Sequence, residues 1–373
     1  MTRKLPRLAA GLLLCLSLQS LRAGAPVMNQ LVEKSIAKAD VIVAVTIQSF
    51  TPDADFKPPT FANDGPTNFA ADAINPPGAY HFQRLQAIKG DTDAAFDLHL
   101  PLLSYEVLGN RPLQVPTGSP ALLLLKKDSD GKLAPVDPIL PLIPLSADAF
   151  PKARASATQK TPDAISLLLA SLPDERVRLT LVTLLDPPLR QPIVDQRIAP
   201  AMRAYLIDKN VQVRDQAIDI VARTQDVSLI PKIAAAAVAS EAAHVSSGPV
   251  GAFAYYKTAA AVPYLNPLIL EGTDYTRLNA MMALRPIADA SSIPYLIQAL
   301  DKDDSQHRVS YVAYATLHRL IPQDALPPLV IVPQFQKNKA QEIQAIKDWW
   351  THEKSKWNPA TMPAERARVS MLP

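Results

Sequence analysis

"LIPKI" at 229–233, "AVPYL" at 261–265 and "SIPYL" at 292–296 are one short phrase written three times. Their prolines, Pro231, Pro263 and Pro294, follow one another at an almost constant step of a little over thirty positions. A second marker travels with the first. Arg214, Asp226 and Pro231 recur as Arg277, Asp289 and Pro294, all three shifted by the same amount, two of those steps. A fixed period of this size means stacked supersecondary units, none able to bury its apolar face alone. Within "VRDQAIDIVA" (213–222), Val213, Ala217, Ile218, Ile220 and Val221 fall close to helical spacing, with Arg214, Asp215 and Asp219 outside. Asp226 then marks a turn, and Pro231 sits where a first helical turn accepts a residue lacking an N–H. Ile230, Ile233, Ala234 and Ala237 begin a second stripe. The unit at 275–300 repeats the scheme with Leu278, Met281, Met282 and Leu284, then Ile293, Leu296, Ile297 and Leu300. The pattern predicts an α-solenoid over 163–358. A C-terminal amphipathic helix bearing Ile343, Ile346, Trp349 and Trp350 closes it, and 359–373 follow as a flexible tail.

The runs "DKNVQVRDQAIDIVARTQDVSLIPKI" (208–233) and "EGTDYTRLNAMMALRPIADASSIPYL" (271–296) resemble HEAT repeats of the compact bacterial kind grouped with phycobilisome-lyase-type proteins. The resemblance implies that the acid opening each unit and the arginine after it stitch neighbouring units together. It places Asp208 with Arg214 and Glu271 with Arg277. Arg308 follows Asp301, Asp303 and Asp304 in a shifted register. The middle unit, 240–270, departs from the pattern. "HVSSGPVGAFAYY" (244–256) has no arginine, and Gly248, Pro249 and Gly251 are expected to interrupt its first helix.

At the other end of the chain, residues 1–25 read as a signal peptide. Arg3, Lys4 and Arg7 precede an apolar run from Leu8 to Leu21, and "AGA" at 23–25 offers small residues for cleavage. The run is shorter than the ~20 residues needed to span a bilayer, and no later segment is a spanning candidate. This leader holds Arg3, Lys4, Arg7 and Arg22 and no acidic residue, so its removal brings the basic and acidic totals of the chain almost level. That balance argues against nucleic acid as a partner. Cys15 is the only cysteine, so a processed chain has no disulfide, thiolate or Cys-ligated zinc. The implied location is periplasmic or secreted.

Residues 26–134 read as a β domain. A short helix, Met28–Lys38, leads into an alternating strand around Val41, Val43, Val45 and Ile47. A long loop, 51–78, holds Pro52, Pro58, Pro59, Pro66, Pro76 and Pro77. Strands resume at Tyr80–Ile88, Phe96–Leu103 and Ala121–Leu125, and Asp130-Gly131 tips a hairpin. The order resembles the OB-like barrel of netrin and tissue-inhibitor modules, implying a closed or half-closed barrel. The proline-rich stretch 135–162 reads as an extended linker, with Thr161 capping the helix after it.

Few residues suggest chemistry. His307 and His318 lie eleven positions apart, about 16 Å along a helix, too far to share a metal. Neither a metalloprotease helix, a serine elbow nor a phosphate-binding glycine loop occurs. The sequence therefore points to no enzyme, metal or cofactor. It points to an adaptor whose HEAT-like face binds a protein partner in the cell envelope. Lys232, Tyr264 and Tyr295, each next to a repeat proline, are the candidate contact residues. Two other classes stay open: an envelope glycan- or peptidoglycan-binding protein using the β domain, and a lyase-type enzyme carrying such repeats.

Overall fold

The computed structural model describes residues 31–56, 76–101, 115–137, 141–156, 163–186, 195–242, 248–302, 308–322 and 324–355. The readings made for 1–25, most of the 51–78 loop and the 359–373 tail lie outside them. The chain divides into two compact units, Met1–Ala201 and Met202–Pro373.

The first unit is built on an antiparallel sheet. Its strands are β1 (Val41–Pro52), β2 (Gly78–Lys89), β3 (Ala95–Leu100), β4 (Pro120–Lys127), β5 (Leu133–Pro135) and β6 (Leu142–Pro144), preceded by helix α1 (Leu31–Lys38). The order is β3-β2-β1-β4-β5, and β6 also pairs with β4. β1 and β4 run through the middle as the apolar runs VIVAV and ALLLL, buried on both faces. The hairpin at Asp130-Gly131 forms as its turn residues require. Gly131 has φ 78, and Asp128 Oδ1 accepts from the N–H groups of Asp130 and Lys132.

Two expectations need correction here. No barrel closes: β3 and β5 approach one another, but no ladder joins them among the described residues, and the sheet is open. Nor do the described residues of 135–162 run as an extended linker. Leu142 and Ile143 of β6 pair with Leu123 and Leu122 of β4, and Leu142, Ile143 and Leu145 are buried. Helix α2 (Ala149–Ser156) follows and packs on α3 (Ala164–Ser171), ahead of α4 (Glu175–Leu185). Prolines masked the strand: Pro144 ends β6, where a missing donor is tolerated. The α3 cap is Asp163, accepting from Ser166 N, rather than Thr161, which lies outside the described residues. Arg197 reaches Asp163 at 2.8 Å and Asp195 at 2.5 Å, and both carboxyls are held below their usual range. In Asp195 the Arg197 hydrogen bond is the largest cause; in Asp163 burial opposes the shift but is outweighed by Arg197 and Ser166 together.

After the short α5 (Ile198–Met202), the second unit is helical: α6 (Val211–Ala222), α7 (Ile230–Ala242), α8 (Gly248–Ala252), α9 (Val262–Glu271), α10 (Asp274–Ile287), α11 (Ile293–Ala299), α12 (Arg308–Leu320) and α13 (Val332–Glu353). Helices α6, α8, α10 and α12 pack in file, α9 lies beside α11, and α7, α9 and α11 each pack on the first helix of the following pair.

One turn is built three times between the helices of these pairs. Gln225, Lys257 and Ala288 are the described non-glycine residues with positive φ, at 57°, 46° and 53°. Each precedes a capping residue: Asp226, Thr258 and Asp289 accept from the N–H of Ser228, Ala260 and Ser291. A single 3₁₀ turn follows in each case, and the second helix then starts at Ile230, Val262 or Ile293 with proline next. The turns therefore recur at the same step as the prolines. The middle unit keeps this turn. The described part of its first helix, Gly248–Ala252, contains Gly248, Pro249 and Gly251, and a 3₁₀ turn, Phe253–Tyr255, follows directly.

Candidate partner-binding ridge

Three backbone-equivalent positions follow the repeat prolines. Ile233, Leu265 and Leu296 are fully buried, so the residue before each faces away from the core. Lys232 is exposed, Tyr264 is 37% exposed and Tyr295 is half-buried. One helical turn on, Ala235, Pro267 and Gln298 are exposed as well, giving a stripe along each second helix. Helices packed side by side lie about 8–10 Å apart, which sets the spacing between Tyr264 and Tyr295.

The stripe has a fourth member that the sequence reading missed. Helix α13 opens Val332-Pro333-Gln334-Phe335, with Phe335 fully buried and Gln334 exposed, in the register of Ile293-Pro294-Tyr295-Leu296. The Val-Pro pair was the available signal. The step from Pro294 to Pro333 is longer than the others, which breaks the period.

The stripe also differs from unit to unit in its backbone. Pro267 has no N–H to offer the carbonyl of Pro263 one turn earlier, so α9 exposes an acceptor there. At the same register of α11, Gln298 Nε2 donates to the Pro294 carbonyl at 3.3 Å.

The arginines expected to stitch units donate to main-chain carbonyls. Arg214 Nη1 donates to the Asp208 carbonyl (3.2 Å) and Arg277 Nη2 to that of Leu270 (3.2 Å). Arg178 repeats the device on Leu172 (2.8 Å) and Pro173 (2.7 Å). Carbonyls at a helix end lack intrahelical donors, and a guanidinium reaching back from the next helix supplies them. The carboxylate partner of Arg277 is Asp274 at 3.0 Å, one turn earlier on its own helix, and Glu271 is exposed. The implied Glu271–Arg277 pairing is corrected accordingly. Arg308 stacks over the Tyr275 ring at 5.3 Å, joining α12 to α10, and Arg223 lies over Tyr255 at 5.1 Å.

Two further clusters bear polar chemistry. On the exposed face of the sheet, His81 Nδ1 meets Asp97 Oδ1 at 2.7 Å and His99 Nε2 meets Asp53 Oδ1 at 2.9 Å. In the helical unit, Tyr311, Tyr314, His318 and Phe335 form an aromatic group in which His318 meets Tyr314 edge-on at 4.4 Å. Its Nε2 is buried without a hydrogen-bond partner, and burial pushes its pKa down to about 4. Among the described residues, no group of three or more His, Cys, Asp or Glu is placed to hold a metal ion, and no helix is long and apolar enough to cross a membrane. A scan against protein-family models finds no match, and neither does a search of the curated proteins.

Proposed function

We propose that this protein is an exported two-domain adaptor. Its helical unit, read as a HEAT-like α-solenoid, binds a protein partner in the cell envelope along the ridge of Lys232, Tyr264, Tyr295 and Gln334. The observation that carries the reading is the repeated turn, which sets Lys232, Tyr264 and Tyr295 at one register beside buried neighbours; Gln334 shares the register through its own Val332-Pro333 helix start. A large amphipathic ring left partly in water at such a register is the kind of anchor that interfaces use. Export rests on the basic start and apolar run of residues 3–21.

The double substitution Tyr264→Ala with Tyr295→Ala tests the ridge. A photo-crosslinker at Gln298 captures the partner in intact envelopes of the wild type. The double variant keeps its melting temperature and loses the crosslinked species. A variant that melts far lower while crosslinking unchanged would show that the rings serve the core instead. A second reading, glycan binding by the β domain, draws on the exposed His81–Asp97 and His99–Asp53 pairs, which offer several polar groups on one flat face. Retention on a peptidoglycan column, lost on His81→Ala with His99→Ala, would favour it.

A further inference from the structure

The two imidazole–carboxylate pairs of the sheet share one face and one geometry. Tyr80 and Phe82 of β2 and Leu98 and Leu100 of β3 are buried, so strand alternation turns His81, Asp97 and His99 outward. The register sets His81 opposite Asp97 and Ala79 opposite His99, which makes the two histidines diagonal neighbours. Cβ atoms in that relation lie about 7 Å apart, within reach of side chains of this length. Both rings are already oriented. His81 Nδ1 lies 2.7 Å from Asp97 Oδ1, and His99 Nε2 lies 2.9 and 3.2 Å from the two Asp53 oxygens. An ionised carboxylate only accepts, so the proton of each pair belongs to the imidazole. Asp53 is itself fixed, since its N–H donates to the Pro77 carbonyl at 2.9 Å and its carbonyl accepts from Phe56 N–H at 3.0 Å.

The nitrogen left over, Nε2 of His81 and Nδ1 of His99, is a bare lone pair in the neutral ring. A histidine that ligates a metal almost always carries this arrangement, its second ring N–H given to a carboxylate that sets the tautomer and the ring angle. Here it occurs twice, on diagonal neighbours of one face. The side chains of His81 and His99 are 46% and 62% exposed, so a hydrated ion reaches both. We propose that Nε2 of His81 and Nδ1 of His99 hold one divalent transition-metal ion, with Asp97 and Asp53 positioning the two rings. Water completes the coordination, because no three such side chains are placed for a metal among the described residues. Imidazole suits zinc(II), nickel(II) and copper(II), and copper(II) binds tightest of these. Bound there, the ion joins β2 to β3 and, through Asp53, to the residue that follows β1. The site is independent of the helical ridge.

Calorimetric titration of the purified, untagged protein with copper(II) and with zinc(II) at neutral pH tests this. The wild type binds one ion of either metal, copper(II) more tightly, and its melting temperature rises with free metal. His81→Ala and His99→Ala each abolish the binding, because a single imidazole does not chelate. Asp97→Asn and Asp53→Asn keep both rings and weaken it roughly 10–100-fold, an effect that two plain surface ion pairs do not have. His352→Ala, on the exposed side of α13, leaves it unchanged. Should an alanine variant melt lower without metal, His81→Gln and the two Asp→Asn variants carry the test. A wild type that binds neither metal overturns the proposal. So does binding that survives either histidine substitution, or that is undiminished in either Asp→Asn variant.

Discussion

Acidification should weaken the helical unit through His318. This side chain sits edge-on to Tyr314 with its Nε2 buried and unpartnered, and burial lowers its pKa from 6.5 to about 4. A group whose folded pKa is depressed holds fewer protons when folded than when unfolded. Its contribution is therefore complete above pH 6.5 and is lost as the pH falls from there towards 4. At about 1.36 kcal/mol for each pH unit, the full interval sets a ceiling of about 3 kcal/mol. His318 is only partly buried, so water screens the charge, and about 1–2 kcal/mol is the expected loss. Urea unfolding at pH 7.5 and pH 4.5, for the wild type and for His318→Phe, isolates this amount. Carboxylates titrating elsewhere affect both proteins alike and cancel in the double difference. The acid-induced loss should be about 1–2 kcal/mol larger in the wild type than in His318→Phe. Equal acid losses in the two proteins would refute the reasoning.

Two glycines and one cap give further outcomes, read by thermal and urea melts. Gly251 lies in α8, and a Cβ there meets nothing within 4 Å, so Gly251→Ala should stabilise by about 0.5–1 kcal/mol. Gly272→Ala should do the opposite, because its Cβ would lie 2.6 Å from the Leu268 carbonyl and 2.8 Å from Thr276 Cγ2; a neutral result would mean that the α9–α10 junction yields. Asp289→Ala removes the cap on Ser291 N and should cost about 1 kcal/mol, with Asp289→Asn restoring most of it.

Several features of this protein are local and were legible in the chain. The three turns at 225–230, 257–262 and 288–293 depend on a cap, a helix-starting proline and an apolar residue two positions beyond it, all within one short window. Periodicity reports such elements because each repeat solves the same backbone problem with nearby atoms. The same holds for β1, β4 and the Asp130-Gly131 hairpin. What only the tertiary structure decided involves partners distant in sequence. Leu142 and Ile143 became a strand because β4 offered them an open edge, although the prolines around them read as a linker. Gln334 joined the ridge across a lengthened connection that hid its register. The hydroxyls of Tyr311 and Tyr314 met the main chain of Val330 only when α12 turned both rings towards it. Local chemistry specifies which elements form, whereas the groups those elements satisfy depend on what packing brings within a hydrogen bond's length.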